Sequence, residues 1–417
     1  MSAPQGITAT ADSRPLGLFS PAFMADPYPL YAAMRQGQRR LSIGPLELWL
    51  LSRYDDVLSA FKRPEIFSST AFREQRPELM RPGLSAETLR ELHEVMLAEV
   101  PIVLNSDPPE HGRYRGILNR GFTPREIGGM EPRIREITNR LIDDLIAKGS
   151  PSDLVRDLTI PLPVTIIAEL LGVDPGMHGA FKRWSDAFVN QASRTAPVGP
   201  MIAAMREFNE YFAAEIERRQ THPSDDLISK LVHTETAEGR LTSREILAFS
   251  RLLLVAGNET TTNLVGNAMI ALLSNPEQLE RVRAEPALIP NLVEETLRFD
   301  PPVQGLPRLA VRDVEVGGEK IPAGARVMLM IGSANRDPAR FPDPDRFDVT
   351  RDTTGHLGLG FGIHFCLGSH LARLESRCVL EAIVTRLANI RLAGPTPRNP
   401  NPILRGPATL PLDFDAA

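Results

Sequence analysis

Cys366 lies in a glycine-rich segment whose residue types suit a cysteine that acts as an anionic ligand. Residues 359–368 read Leu-Gly-Phe-Gly-Ile-His-Phe-Cys-Leu-Gly, and the chain has one other cysteine, Cys378. Glycines at 360, 362 and 368 let the backbone approach closely and adopt positive φ. Backbone N–H groups and the start of the helix that follows favour a thiolate, and His364 is placed to donate to an anionic group. The segment therefore predicts a ligand rather than a buried structural cysteine.

A carboxylate stands beside a run of hydroxyls in the middle of the longest predicted helix. Residues 256–262 read Ala-Gly-Asn-Glu-Thr-Thr-Thr. Gly257 costs about 1 kcal/mol of helix stability relative to alanine, and threonine hydroxyls can bond to the carbonyl four residues back and bend a helix. Burying Glu259 among apolar residues is unfavourable unless it is paired or functional. The motif predicts proton delivery by Glu259 and Thr260, although taken alone it also fits an interrupted core helix.

Glu295 and Arg298 form a third motif, Glu-Thr-Leu-Arg, upstream of Cys366. Residues three apart share one face of a helix, so these two side chains can pair. Such a pair is common on protein surfaces. It gains weight here because Pro301, Pro302 and Arg308 follow it.

Composition and charge exclude several classes of protein. The 417 residues carry a net charge of −5, which predicts no nucleic-acid binding. Two cysteines argue against a disulfide scaffold. Residues 1–16 lack the basic flank and apolar core of a signal peptide, and Arg251, Asn258 and Glu259 interrupt the apolar stretch 246–273 that would otherwise suit a membrane span. We therefore expect a cytoplasmic protein without membrane insertion.

The periodicity of apolar residues predicts a helix-rich chain with a few short strands. No repeat or linker divides it, so a single large domain is expected. Predicted helices cover residues 27–35, 54–61, 85–99, 111–121, 125–148, 161–171, 178–191, 200–219, 225–232, 242–274, 275–282, 289–299 and 369–388. Predicted strands cover residues 46–52, 309–311, 314–316 and 327–330, and a closing hairpin is predicted within 401–414.

The three motifs in this order resemble the bacterial soluble cytochrome P-450 family. The pattern is Ala-Gly-x-Glu-Thr-Thr, then Glu-x-x-Arg, then Phe-Gly-x-His-x-Cys-x-Gly, and residues 107–115, 335–338 and 341–347 also match the family. The resemblance implies a mainly α protein with small β-sheets, the triangular helix-rich single domain of the cytochrome P-450 fold. That domain would span residues 21–417 after a disordered segment at residues 1–20. One departure is Leu359, where the family usually has an aromatic residue.

The resemblance also implies a haem b cofactor and a role for each matching residue. Cys366 would be the thiolate ligand of the haem iron, which favours O–O cleavage. Thr260 matches the threonine that holds dioxygen and a water beside the haem, and Glu259 matches the adjacent acid of the proton relay. Glu295 and Arg298 would be structural. The remaining cofactor-binding residues would be His111, Arg115, Arg308 and His364 at the propionates, Ala256 and Gly257 at the oxygen groove, and Phe361 and Gly368 in the cysteine loop.

A family member of this kind is a monooxygenase that hydroxylates or epoxidises a small molecule with dioxygen and two electrons. A peroxide-driven peroxygenase and, with less support, a non-catalytic haem sensor or carrier are the alternatives. The expected pocket is mostly apolar, which favours an apolar or amphipathic substrate, and Gln304 is its one polar group. Its predicted lining residues are Leu252, Val255, Ala256, Val303, Gln304, Ile403 and Leu404, with less certain contributions from residues 80–100 and 187–202.

The chain has no room for a flavin or ferredoxin domain, so electrons must come from partner proteins. The resemblance implies a small acidic ferredoxin and a ferredoxin reductase as the donors, and a monomeric enzyme. The predicted docking arginines near the cysteine are Arg113, Arg120, Arg373 and Arg377.

Overall fold

The computed structural model describes residues 20–37, 40–43, 46–72, 83–97, 99–189, 197–236 and 239–417. The predicted disordered segment at residues 1–20 lies outside this part of the chain except for Ser20. Parts of the less certain pocket segments, residues 80–82, 98 and 190–196, also lie outside it.

Helices make up most of the structure, and proline and capping residues set many of their ends. Thr242 accepts from the backbone N–H of Glu245, and the Glu245 carboxylate accepts from the backbone N–H of Thr242, which starts the longest helix. We call this helix, Ser243–Ser274, the central helix; its 32 residues span about 48 Å. The other helices are Pro21–Ala25, Tyr28–Gln36, Tyr54–Phe61, Ala86–Met96, Glu110–Leu118, Pro124–Gly129, Glu131–Lys148, Pro161–Leu171, His178–Val189, Val198–Thr221, Leu227–His233, Pro276–Ala284, Ile289–Phe299, Ile331–Ala334 and Ser369–Arg386.

One predicted helix is two. The pattern from 125 to 148 predicts a continuous helix, but the structure has Pro124–Gly129 followed by Glu131–Lys148. Pro132 has no N–H to donate and is tolerated only in the first turn of a helix. A new helix therefore starts at Glu131, and the chain bends between the two.

The strands form three small sheets. Their bounds are β1 Arg40–Ile43, β2 Leu46–Leu51, β3 Phe67–Ser68, β4 Ser152–Asp153, β5 Leu306–Ala310, β6 Val314–Val316, β7 Glu319–Ile321, β8 Arg326–Leu329, β9 Leu387–Leu392 and β10 Pro411–Ala416. The largest sheet has the order β1-β2-β8-β5-β3, in which β2 and β8 are parallel and the other pairs antiparallel. The others are β4-β10-β9 and β6-β7.

The bounds and strand partners of the predicted closing hairpin, residues 401–414, are wrong, since the local antiparallel bridge joins Arg398 to Pro407. β10 pairs antiparallel with β9, which directly follows the helix Ser369–Arg386. Within the predicted hairpin segment, Leu404 instead bridges to Val303, a residue 101 positions earlier. Local alternation does not reveal the partner of a strand, because that partner is set by tertiary packing.

The central helix runs through the largest hydrophobic core and is buried along most of its length. A second core lies beneath the largest sheet. No described helix is both long and apolar enough to cross a membrane. The helix-rich fold with small sheets is confirmed, and the central helix is the element from which the site can be located.

Candidate active site

The cysteine loop is held by two glycines in the left-handed region. Gly360 has φ 72° and Gly362 has φ 68°, values that other residues rarely adopt. A Cβ at position 362 would also lie 3.1 Å from the carbonyl oxygen of Phe61. The backbone N–H of Cys366 then donates to the carbonyl of Leu359 at 2.9 Å. The loop is thus closed tightly around the cysteine. The expected positive φ at Gly368 is wrong, since its φ is −85°.

Cys366 lies just before the helix Ser369–Arg386. The protein alone does not favour the ionised thiolate form of its side chain there. Burial raises the pKa of the Cys366 thiol, and this outweighs a hydrogen bond from the Gly368 N–H and the charges of Arg115 and Arg373. A metal ion stabilises a thiolate outright. In the described part of the chain, no group of three or more His, Cys, Asp or Glu side chains could hold such an ion. A metal at Cys366 must therefore bring most of its ligands with it.

Donors and cations from four distant segments gather beside this loop. The rings of His111 and His364 lie 4.5 Å apart, and Arg115 donates to the carbonyl of Phe365 at 2.8 Å. Burial, together with the charges of Arg308, His111 and Arg115, lowers the pKa of His364 to about 3. The neutral His364 ring shares a hydrogen bond of 2.8 Å with Ser69. Ser69 carried no signal in the sequence.

This cluster has buried donors without an anion. His111 is 4% exposed, and its Nε2 has no hydrogen-bond partner. Arg308 is 3% exposed, and its guanidinium donates to the carbonyl of Pro307 at 2.8 Å. Burial lowers the Arg308 pKa to about 10, and no described carboxylate lies within ion-pair distance of it. A buried cation in this state calls for a bound anionic group.

The middle of the central helix carries the predicted acid and alcohol. Thr260 Oγ1 donates to the carbonyl of Ala256 at 2.6 Å, the back-bonding expected from its sequence. Glu259 is 7% exposed, and burial raises its pKa to about 7. A carboxyl with that pKa can both hold and release a proton near neutral pH. Ala256, by contrast, is exposed, so the helix opens onto a space at this turn.

The opposite side of this turn is fastened to other helices. A Cβ on Gly257 would lie 2.5 Å from Cδ1 of Ile167, so the glycine is explained by helix packing rather than by an oxygen groove. Asn258 donates to Ser185 at 2.5 Å, and Thr262 donates to the carbonyl of Thr159 at 2.7 Å. The role expected of Gly257 is therefore corrected, and the helix runs through this turn without a break.

A second buried carboxyl, missed by the sequence reasoning, approaches the same turn. Glu375, on the helix after the cysteine, hydrogen-bonds to Thr261, and burial raises its pKa to about 8. Its Oε1 has no hydrogen-bond partner. Its position six residues into a predicted amphipathic helix offered no sign of burial.

The predicted pocket residues fall into two groups, one on the central helix and one on two loop segments that lie side by side. Leu252 and Val255 are partly exposed on the central helix next to Ala256. Val303 and Leu404 form a bridge, and the backbone N–H of residue 304 donates to the carbonyl of Ile403 at 2.7 Å. The two loop segments therefore lie side by side as one partly exposed edge.

Gln304 does not offer a polar group to this edge. Its side chain is 2% exposed, accepts from the Tyr31 hydroxyl at 3.0 Å and donates to the carbonyl of Pro301 at 2.7 Å. Both ends of the amide are engaged inside the protein, so the expectation that it orients substrate is wrong. The ring of Phe361 is 39% exposed and lies 5.8 Å from the Lys62 ammonium, so its predicted role at the cofactor stays a prediction.

Glu295 and Arg298 are fully buried and paired. Arg298 donates to both carboxylate oxygens of Glu295 at 2.7 and 2.9 Å, and its remaining N–H groups reach the carbonyls of Asn335 and Pro344. The pair joins the helix Ile289–Phe299 to the segment that leads into the cysteine loop. This arrangement agrees with a structural role.

Three of the four arginines expected to dock a redox partner already have carboxylate partners. Arg113 pairs with Glu245. Arg373 pairs with Glu294, and Arg377 pairs with Glu131. Arg120 is exposed. The four residues therefore do not form a set of unpaired surface cations.

Haem b fits the groups that the protein leaves unmatched. Cys366 would supply the iron ligand, the porphyrin would supply the ring of ligands that the protein lacks, and two propionates would supply the anions. Arg308, Arg115 and His111 Nε2 are the donors that would hold those propionates. Each unmatched feature of the loop and of the donor cluster is accounted for by this one group.

Comparisons with known proteins agree with this fit. The cytochrome P450 family model matches residues 98–407. The cytochrome P450 monooxygenase PikC of Streptomyces venezuelae is 40% identical over 98% of this chain and 96% of its own. The vitamin D(3) 25-hydroxylase of Pseudonocardia autotrophica is 40% identical over 90% of each. The solved structure of cytochrome P450 CYP109Q5 from Chondromyces apiculatus superposes with a TM-score of 0.86 at 39% identity, covering 96% of this chain and 98% of that one. The chain is a member of the cytochrome P450 family, a monooxygenase whose cofactor is haem b.

Proposed function

We propose that this enzyme hydroxylates or epoxidises an apolar or amphipathic small organic molecule, with two electrons delivered by a ferredoxin and its reductase. The observation that carries the proposal is the Glu259–Thr260 pair, a buried acid with a pKa of about 7 beside an alcohol. Activating dioxygen consumes protons, and a peroxide-driven enzyme has no need of such a pair. Three relatives support the type of chemistry, being named a vitamin D(3) 25-hydroxylase, a mycinamicin IV hydroxylase/epoxidase and a cyclomarin C epoxidase.

Haem b, when bound, supplies the activation of dioxygen and the transfer of one oxygen atom. The chain's own residues prepare that chemistry. Cys366 would contribute the sulfur ligand from within the closed loop, residues 359–368. Arg308 and His111 would hold the carboxylates of the cofactor.

Protons reach the site through the central helix. Glu259 holds a proton about half of the time near pH 7, because its pKa is about 7. Thr260 Oγ1 donates its proton to the Ala256 carbonyl in this structure. To donate to a water instead, the hydroxyl must release that carbonyl by rotation. Glu259 would then restore the proton that leaves the site.

The substrate would lie against the partly exposed edge formed by Val303, Leu404 and Ile403 and against Leu252 and Val255. These side chains are apolar, and an apolar lining favours an apolar body. The proposal includes a monomeric, cytoplasmic enzyme. Arg120 is the exposed cation among the four arginines predicted to meet the acidic donor.

The test begins with the reduced protein under carbon monoxide. A strongly red-shifted Soret band that disappears in Cys366→Ala is expected, with an unchanged far-ultraviolet circular dichroism spectrum. Oxygenated product should then form from an apolar substrate panel with ferredoxin and reductase. The variant Thr260→Ala should consume reductant while forming much less product. A turnover rate with hydrogen peroxide alone that exceeds the ferredoxin-driven rate, and that is unaffected in Thr260→Ala, would overturn the monooxygenase proposal.

A further inference from the structure

We propose that Arg251 binds an anionic head group of the substrate, a carboxylate or a phosphate, while the apolar tail extends towards Ala256. The inference rests on the proposed function and narrows its substrate class to amphipathic acids. Arg251 interrupts the apolar part of the central helix, and none of the roles described above uses it.

The guanidinium of Arg251 lies where several helices meet. Its Nη1 donates to the carbonyl of Val95, in the helix Ala86–Met96, at 3.1 Å. Its Cζ lies 6.0 Å from the centre of the Phe188 ring, in the helix His178–Val189. Asn209, in the helix Val198–Thr221, donates to the same Val95 carbonyl at 2.9 Å. Arg251 is therefore enclosed by three helices besides its own, yet it stays partly exposed.

The protein supplies no counter-ion for this cation. Burial lowers the pKa of Arg251 to about 10, and the acid that acts on it is Glu99. The Glu99 carboxylate is already paired with Arg244, and both side chains are exposed. Among the described residues, no carboxylate lies within ion-pair distance of Arg251. Other buried guanidinium groups differ, since Arg298 pairs with Glu295 and Arg219 with Asp226.

Arg308 provides the comparison within the same chain. It is the other arginine whose pKa burial lowers to about 10, and it too has a single backbone carbonyl as its described acceptor. Its missing anion is explained by a haem propionate. Arg251 lies too far along the central helix from Thr260 to share that anion, since nine residues correspond to about 13 Å. A second anion, not belonging to the cofactor, would give Arg251 the partner that the protein does not supply.

The substrate is the molecule that can bring this anion. Leu252, Val255 and Ala256 follow Arg251 directly on the helix and are exposed to different degrees, so an apolar tail can run from Arg251 along them. The spacing of about 13 Å to Thr260 suits a medium-chain acid oxidised away from its head group. Charge-assisted, bidentate hydrogen bonds are the interaction that arginine makes best with carboxylate and phosphate.

The experiment compares three ligands of equal tail length on the haem-loaded protein: dodecanoate, dodecyl phosphate and 1-dodecanol. Dissociation constants are measured by the spin-state shift of the Soret band and, independently, by calorimetry. Wild-type protein should bind at least one of the two anions 10-fold or more tightly than the alcohol. Arg251→Gln should lose that preference and bind the alcohol as before. Which anion is preferred identifies the head group.

Two further variants separate anchoring from structural damage. Arg251→Lys keeps the charge and should retain part of the preference. Arg206→Gln removes an exposed arginine from the helix Val198–Thr221 and should leave the preference intact. Equal binding of anion and alcohol by the wild type, or an equal loss of both in Arg251→Gln, would overturn the proposal. Calorimetric binding that depends on Arg251 without any spectral shift would retain the anchor and instead contradict oxidation of these ligands at the haem.

Discussion

Replacing Glu259 with glutamine should make the protein more stable, and the gain should grow with pH. The folded-state pKa of about 7 lies above the ordinary value of 4.5, because burial penalises the ionised form. Below pH 4.5 the carboxyl is protonated in both the folded and the unfolded state, and Glu259 has no effect. As the pH rises from 4.5 to 7, the unfolded chain loses the proton while the folded chain keeps it, so stability falls. The full loss is about 3 kcal/mol, at 1.36 kcal/mol for each pKa unit.

Between pH 5 and pH 8 the linkage relation gives a change of about 2.5 kcal/mol in the free energy of unfolding. Glutamine does not titrate, so this change should appear as a widening gap between Glu259→Gln and the wild type. Urea unfolding at pH 5, 6, 7 and 8, followed by circular dichroism, measures the gap. Glu217→Gln, an exposed site on the helix Val198–Thr221, is the matched control and should show no such trend. A gap that is constant with pH, or largest at pH 5, would refute burial as the cause of the raised pKa.

Two further predictions concern packing and buried charge. Gly257→Ala should lower the free energy of unfolding in urea by about 1–3 kcal/mol, because the new Cβ meets Cδ1 of Ile167 at 2.5 Å. In an Ile167→Val background, which lacks that atom, the same change should become stabilising by helix propensity. A loss of stability that persists there would show that another contact is responsible. Glu295→Gln should cost about 3–5 kcal/mol by leaving Arg298 buried without its partner. Glu136→Gln, in an exposed pair with the same spacing, should cost far less, and similar losses at the two sites would contradict the role of burial.

Local chemistry explains why many elements were predictable from sequence. Helix starts followed from side chains that bond the first free N–H groups, as at Ser85 and Thr242. The helices 54–61, 161–171 and 289–299 were confirmed with their predicted bounds. The family resemblance, and with it the haem cofactor, followed from three motifs in a fixed order. Those motifs reflect chemistry within a few consecutive residues.

Sheet pairing and side-chain direction were not predictable in the same way. The partner of β10 is β9, outside the segment expected to form a hairpin, because tertiary packing rather than local alternation sets the pairing. Gln304 has the polarity of a substrate contact, but its amide oxygen instead accepts a hydrogen bond from the hydroxyl of Tyr31, 273 residues away. The exposure of the Phe361 ring, 39%, likewise depends on the folded loop and not on residue type.

Cys366 illustrates which properties of this protein follow from its sequence alone and which appear only in the folded structure. The sequence by itself predicted Cys366 as the ligand, and it determined the glycines that close its loop and the acid and alcohol of the central helix, because these depend on residue type and short spacing. The tertiary structure decided which charges are left without partners: the cations at Arg308 and Arg251, and a thiol whose pKa is raised. Burial and pairing depend on segments that meet only in the folded chain. The groups left unmatched after folding are the ones available to a cofactor and a substrate.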